Sequence, residues 1–138
     1  MKYILFAITA DRFSTEGFHW CLHTAKEKNK VVKAVYVASQ TNATDYDHGK
    51  KMLEEVEKQC RTFQAPFEVQ LEKGAYFQLC QDLASQPDVD ILVVTEKKRS
   101  WLSKIFGSRE SDQLRGKISS ELKIYPSTKT RPLGAEIK

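Results

Sequence analysis

Apolar residues along this chain come in two rhythms. Tyr3-Ile4-Leu5-Phe6-Ala7-Ile8, Val31-Val32-Lys33-Ala34-Val35-Tyr36-Val37-Ala38 and Asp90-Ile91-Leu92-Val93-Val94 are apolar at nearly every position. Such runs suit strands covered on both faces, as in a parallel sheet. Between them, apolar residues recur at helical spacing. Phe18, Cys21, Leu22 and Ala25 mark one helix, which Ser14 can cap and which runs through Lys28 to close at Asn29-Lys30. Met52, Val56, Cys60 and Phe63 mark a second, over 48–63, barred from continuing by Pro66. Tyr76, Leu79, Cys80 and Leu83 mark a third, after Gly74 and before Gln86-Pro87-Asp88. Leu114, Ile118 and Leu122 predict a fourth, over 108–121. The polar stretch 39–47 has no apolar period and reads as a loop.

Two further strands differ from the buried ones. Phe67-Glu68-Val69-Gln70-Leu71-Glu72 alternates strictly, which predicts one wet face and an edge position. Leu122 to Tyr125 is short, carries Lys123 and stops at Pro126, so it too belongs at an edge. The resulting β-α-β-α-β-α-β-α-β order predicts a single-domain α/β fold: a parallel sheet between two helical layers, with its fully apolar strands central. That domain covers 1–126, and 127–138 forms a polar tail.

Composition narrows the class. At 138 residues, 41% hydrophobic and 29% charged, the chain suits one soluble domain. No apolar run reaches the roughly 18 residues of a membrane span, and no small-residue cleavage site follows the first strand. Cys21, Cys60 and Cys80 form no CxxC pair and cannot all pair within one chain, which fits a reducing, cytoplasmic setting. The net charge of +4 is too mild to indicate nucleic acid as a partner.

Candidate chemistry lies where the central strands end, since ligands of open α/β sheets sit beyond the carboxyl ends of strands. The first strand runs into Thr9-Ala10-Asp11. The fourth runs into Thr95-Glu96-Lys97-Lys98-Arg99. An acidic turn and a basic turn would then share one crevice. No nucleophile with a matched base is apparent. A G-x-S-x-G elbow is missing, and His48, Asp11 and Asp45 join that crevice only by assumption, so the expectation is binding rather than turnover. His19 and His23 stand one helical turn apart, but Cys21 points elsewhere and only Glu16 or Glu27 could complete a metal set, so no metal site is expected. Trp101, Leu102, Ile105 and Phe106 fall on one face if helical. That face either covers the sheet or meets a protein or membrane surface.

The opening Ile4-Leu5-Phe6-Ala7-Ile8, the Val35-Tyr36-Val37 of strand two, Asp90-Ile91-Leu92-Val93-Val94 and the basic phrase from Arg99 to Ser108 together resemble the universal stress proteins over about residues 1–126. That resemblance implies a five-stranded sheet of order 3-2-1-4-5. It implies a non-enzymatic stress-response or regulatory role, frequent homodimers and, in one branch, ATP binding. The family's G-x2-G-x9-G phosphate motif is degraded in this chain. Thr95 and Lys98 replace the first two glycines, and Gly107-Ser108 keeps the last pair one residue early. Thr9 stands where the family has an acid, with Asp11 two residues on. ATP or another adenine nucleotide is therefore the implied ligand, with no cofactor certain. The resemblance implies that the adenine would lie near Val37, the ribose or base side by Thr9, Ala10 and Asp11, and the phosphates by Thr95, Lys97, Lys98, Arg99, Gly107 and Ser108. A soluble regulatory domain of a membrane transporter or sensor is the alternative reading.

Overall fold

The computed structural model describes residues 2–96, 114, 118 and 120–127. Five strands form one sheet: β1 (Tyr3–Ile8), β2 (Val31–Ala38), β3 (Phe67–Lys73), β4 (Val89–Glu96) and β5 (Glu121–Pro126). Their order is β3-β2-β1-β4-β5, and every pairing is parallel. The central strands are those that are apolar at nearly every position. Ile4 to Ile8 and Ile91 to Thr95 are all buried, because both faces are covered. β3, which alternates, lies at one edge with half-buried residues. β5, with Lys123, lies at the other.

Three helices connect the described strands: α1 (Thr15–Lys28), α2 (Ala43–Phe63) and α3 (Tyr76–Ala84). The side chain of Ser14 caps α1 by accepting from the Gly17 N–H, and Asn29 ends it in the left-handed conformation. The segment 39–47 departs from the loop expectation, since α2 begins at Ala43. Asn42 caps it by accepting from the Thr44 N–H, a polar start with no apolar periodicity to announce it. Of the fourth expected helix, over 108–121, only Leu114, Ile118, Ser120 and Glu121 are described, and Glu121 already belongs to β5.

α1 and α2 cover one face of the sheet, and α3 covers the other. Phe18, Cys21, Leu22 and Ala25 of α1 and Met52, Val56 and Cys60 of α2 join Ile4, Phe6 and Ile8 in one apolar cluster. Tyr76, Cys80 and Ala84 of α3 join Leu5, Ala7, Leu92 and Val94 in the other, with Leu114 buried among them. Each such large side chain contributes about 1.5–3 kcal/mol through burial. Under the first strand, Phe6, Phe13 and Phe18 form an aromatic triangle with centroids 5.6 to 5.9 Å apart.

Gly49 lets α2 lie close to the sheet. A Cβ there would come within 2.5 Å of the buried Tyr36 ring and 2.9 Å of Leu71. The close approach brings the first turn of α2 to the rim of the space above β2.

Candidate functional site: a cleft at the carboxyl ends of β1 and β2

β1 ends in a tight turn. The Thr9 and Arg12 backbones bond each other reciprocally at 3.3 Å, and the Thr9 hydroxyl donates to Asp11 Oδ1 at 2.8 Å. Past the turn the chain alternates sides. Phe13 enters the core under α1, whereas Arg12 turns to α3. There its guanidinium lies over the rings of Tyr76 and Phe77, 4.5 and 4.8 Å from their centroids. Arg12 is only 6% exposed and donates to the Thr95 carbonyl at 3.4 Å. Ser127, after β5, fixes the turn from beyond. Its hydroxyl accepts from the Phe13 N–H and reaches the Phe13 carbonyl, while its own N–H donates to the Glu96 carbonyl.

Above the ends of β1 and β2 opens a cleft of about 790 Å³, within the usual size range of small-ligand sites. Its walls come from the β1 turn (Thr9 to Arg12), from β2 and its exit (Val37, Ser39), from the first turns of α2 (Asp45, His48) and from the entry to α3 (Gly74 to Gln78). Asp45 is fixed in the wall: Oδ1 accepts from the Tyr36 hydroxyl and Oδ2 from the Ser39 N–H, both at 2.6 Å. Burial, then this carboxylate, raises the Tyr36 phenol far above its usual pKa, so it stays a donor. α3 starts at Ala75 without a side-chain cap, and Gly74 takes a φ of 151° to make the bend.

A side chain of α3 bridges the ends of β1 and β4. The Tyr76 hydroxyl donates to the Ala7 carbonyl at 2.7 Å and accepts from the Thr95 N–H at 3.3 Å, tying the two strand ends together. Arg12 lies beside it. Thr95, expected at the phosphate side, is fully buried there and does not line the cleft; its Oγ1 has no hydrogen-bond partner among the described residues.

The structure thus brings together Thr9, Ala10, Asp11 and Val37 of the expected site. Lys97, Lys98, Arg99, Gly107, Ser108 and the 101–106 face lie outside the described residues. Sequence reasoning missed Arg12, a charged residue in a turn with no pattern to mark it as buried. It also set His48 and Asp45 aside, whereas both line the cleft. The Asp45 carboxylate accepts from Tyr36 and Ser39. His19 and His23 line a separate groove between α1 and α2, where the His23 ring meets Phe63 edge-on. Among the described residues, no three His, Cys, Asp or Glu side chains gather as a metal set.

The sequence model described as the universal stress protein family matches residues 1–118. The chain belongs to this family. Among solved structures, a universal stress protein from Archaeoglobus fulgidus superposes with a TM-score of 0.71 at 20% identity, covering 90% of this chain and 93% of that one. UspA from Lactobacillus plantarum gives 0.75 at 13% identity over 90% and 97%. A universal stress protein in complex with cAMP gives 0.69 at 15% over 92% and 98%, and an Arabidopsis thaliana family protein with AMP bound gives 0.62 at 15% over 93% and 93%. At these identities the likeness establishes the fold. Among curated proteins no sequence matches. The 3-2-1-4-5 order expected of a universal stress protein is the order found, and no described helix is long and apolar enough to cross a membrane.

Proposed function

We propose that this universal stress protein binds an adenine nucleotide in the β1–β2 cleft and acts by binding and association, as a non-enzymatic regulatory protein. One observation carries the reading. The cleft is lined by Thr9, Ala10, Asp11 and Val37, the positions that the family resemblance gives to the nucleoside. Two structures of the same fold were solved with cAMP and with AMP, which supports an adenine nucleotide as the ligand class. Val37 offers an apolar wall to the base. Ser39, Thr9 and the two carboxylates offer polar partners to a sugar. Calorimetric titration with adenosine, AMP, cAMP and ATP tests the reading. Saturable binding of at least one is expected, and no heat at millimolar ligand from any of them overturns it.

A further inference from the structure

The groove between α1 and α2 lies apart from the nucleotide cleft and has a chemistry of its own. We infer that His19 and His23, with Gln59 and Thr62 of α2 lining the same groove, form a binding site for a divalent late-transition-metal ion of the Cu2+ or Zn2+ class. The two histidines lie inside α1 at positions i and i+4, so they share one helix face, with Cβ atoms about 5–6 Å apart. That spacing is the one by which two helical imidazoles reach a single zinc ion. Both side chains are exposed, and both line one groove of about 190 Å³. Neither imidazole has a hydrogen-bond or ion-pair partner among the described residues.

The donor set selects the ion. Neutral imidazole suits Zn2+, Ni2+ and Cu2+, whereas Mg2+ and Ca2+ take oxygen ligands. Gln59 and Thr62 add neutral oxygens from α2. Glu16 and Glu27 are not among the described residues that line the groove. Cys21 is buried in the core, and that burial keeps its thiol protonated. The ion therefore rests on two imidazoles with water completing its shell, which makes the site an exchangeable one and not a closed four-ligand centre. The His23 ring is oriented in advance, since it meets Phe63 edge-on with centroids 4.7 Å apart, and a group ordered beforehand loses less entropy on binding. Lys26 Nζ lies over the same Phe63 ring, 5.0 Å from its centroid, and its charge opposes the ion, which keeps the affinity moderate. An ion held by donors from both helices ties α1 to α2 and stabilises the fold by linkage.

The test is calorimetric titration of the full chain with CuCl2, ZnCl2 and MgCl2 in a non-chelating buffer, on the wild type, His19→Gln, His23→Gln and His48→Gln. The last replaces the chain's third histidine, which lines the nucleotide cleft instead. The wild type is expected to bind one Cu2+ saturably and Zn2+ more weakly, with no heat from Mg2+. His19→Gln and His23→Gln should each lower Cu2+ affinity by about tenfold or more, and His48→Gln should change it by less than about twofold. No saturable binding of Cu2+ or Zn2+ at millimolar ion overturns the inference. So does undiminished binding in either groove variant, which would put the ion elsewhere or on one histidine, and so does an equal affinity for Mg2+. Electron paramagnetic resonance of the wild-type Cu2+ complex decides even where a variant fails to fold. Coupling to two imidazole nitrogens is expected, and coupling to one or none overturns the site.

Discussion

The end of β1 has unlike surroundings on its two sides. Toward β2 the space is open, with the short Ala10, Val37, Gly74 and Ala75 among the residues that rim it. Toward β4 a Tyr side chain reaches both strand ends, with a stacked Arg beside it. The backbone cannot explain this, since both pairings are parallel. The side chains that reach across differ. An open α/β sheet offers positions for a ligand beyond its strand ends, and what fills each position is a local matter of a few residues.

The strongest way to break the contrast is to cut the bridge on the β4 side. Tyr76→Ala removes a buried ring and the hydroxyl joining Ala7 to Thr95, and it takes away one face of the Arg12 stack. We expect a loss of about 3–5 kcal/mol, read by urea denaturation. A loss below about 1 kcal/mol would mean that the tie across β1 and β4 is incidental.

A smaller effect is expected from the open side. Gly49→Ala should gain from helix propensity by about 1 kcal/mol if the site had room. It does not, because the added Cβ meets the Tyr36 ring, which is buried and whose hydroxyl is fixed to Asp45. A net loss of about 1–3 kcal/mol in the same assay is expected. The displaced Tyr36 should also weaken adenosine binding by disturbing Asp45. Stabilisation by this substitution would show that α2 can lift away freely.

The smallest effect lies at the far end of the sheet and serves as a control for both sides. Lys30 pairs with Asp90 there, and this hydrogen bond, first among the causes, holds the carboxyl below its ordinary pKa of 3.8. A depressed folded value means that the stabilisation is complete above the unfolded pKa and disappears as pH falls through the folded one. Because Asp90 is largely exposed, Asp90→Asn should cost at most about 1 kcal/mol at pH 7 and almost nothing near pH 2, with ligand binding unchanged. An equal cost at both pH values would show that charge is not what stabilises this contact.

Much of the fold was legible because it rests on burial. A strand covered on both faces must be apolar throughout, so β1, β2 and β4 stood out, and the alternation of β3 marked its edge. The β1 end of the cleft was legible for a related reason: it begins where an apolar run stops. Arg12 was not, because its burial depends on two aromatic rings more than 60 residues away in sequence. The start of α2 was hidden for another reason. Helix caps are polar, so Asn42 to Asp47 looks like loop even where it is wall. His48 and Asp45 entered the cleft with it.

Ser127 ends the chain of β5 with a hydroxyl on the Phe13 backbone and an amide on Glu96. The outermost strand is thereby stitched to the turn that carries Asp11 and Arg12, bypassing the width of the sheet. A displacement of that strand's end would be carried to the mouth of the cleft through the hydrogen bonds between Ser127 and Phe13.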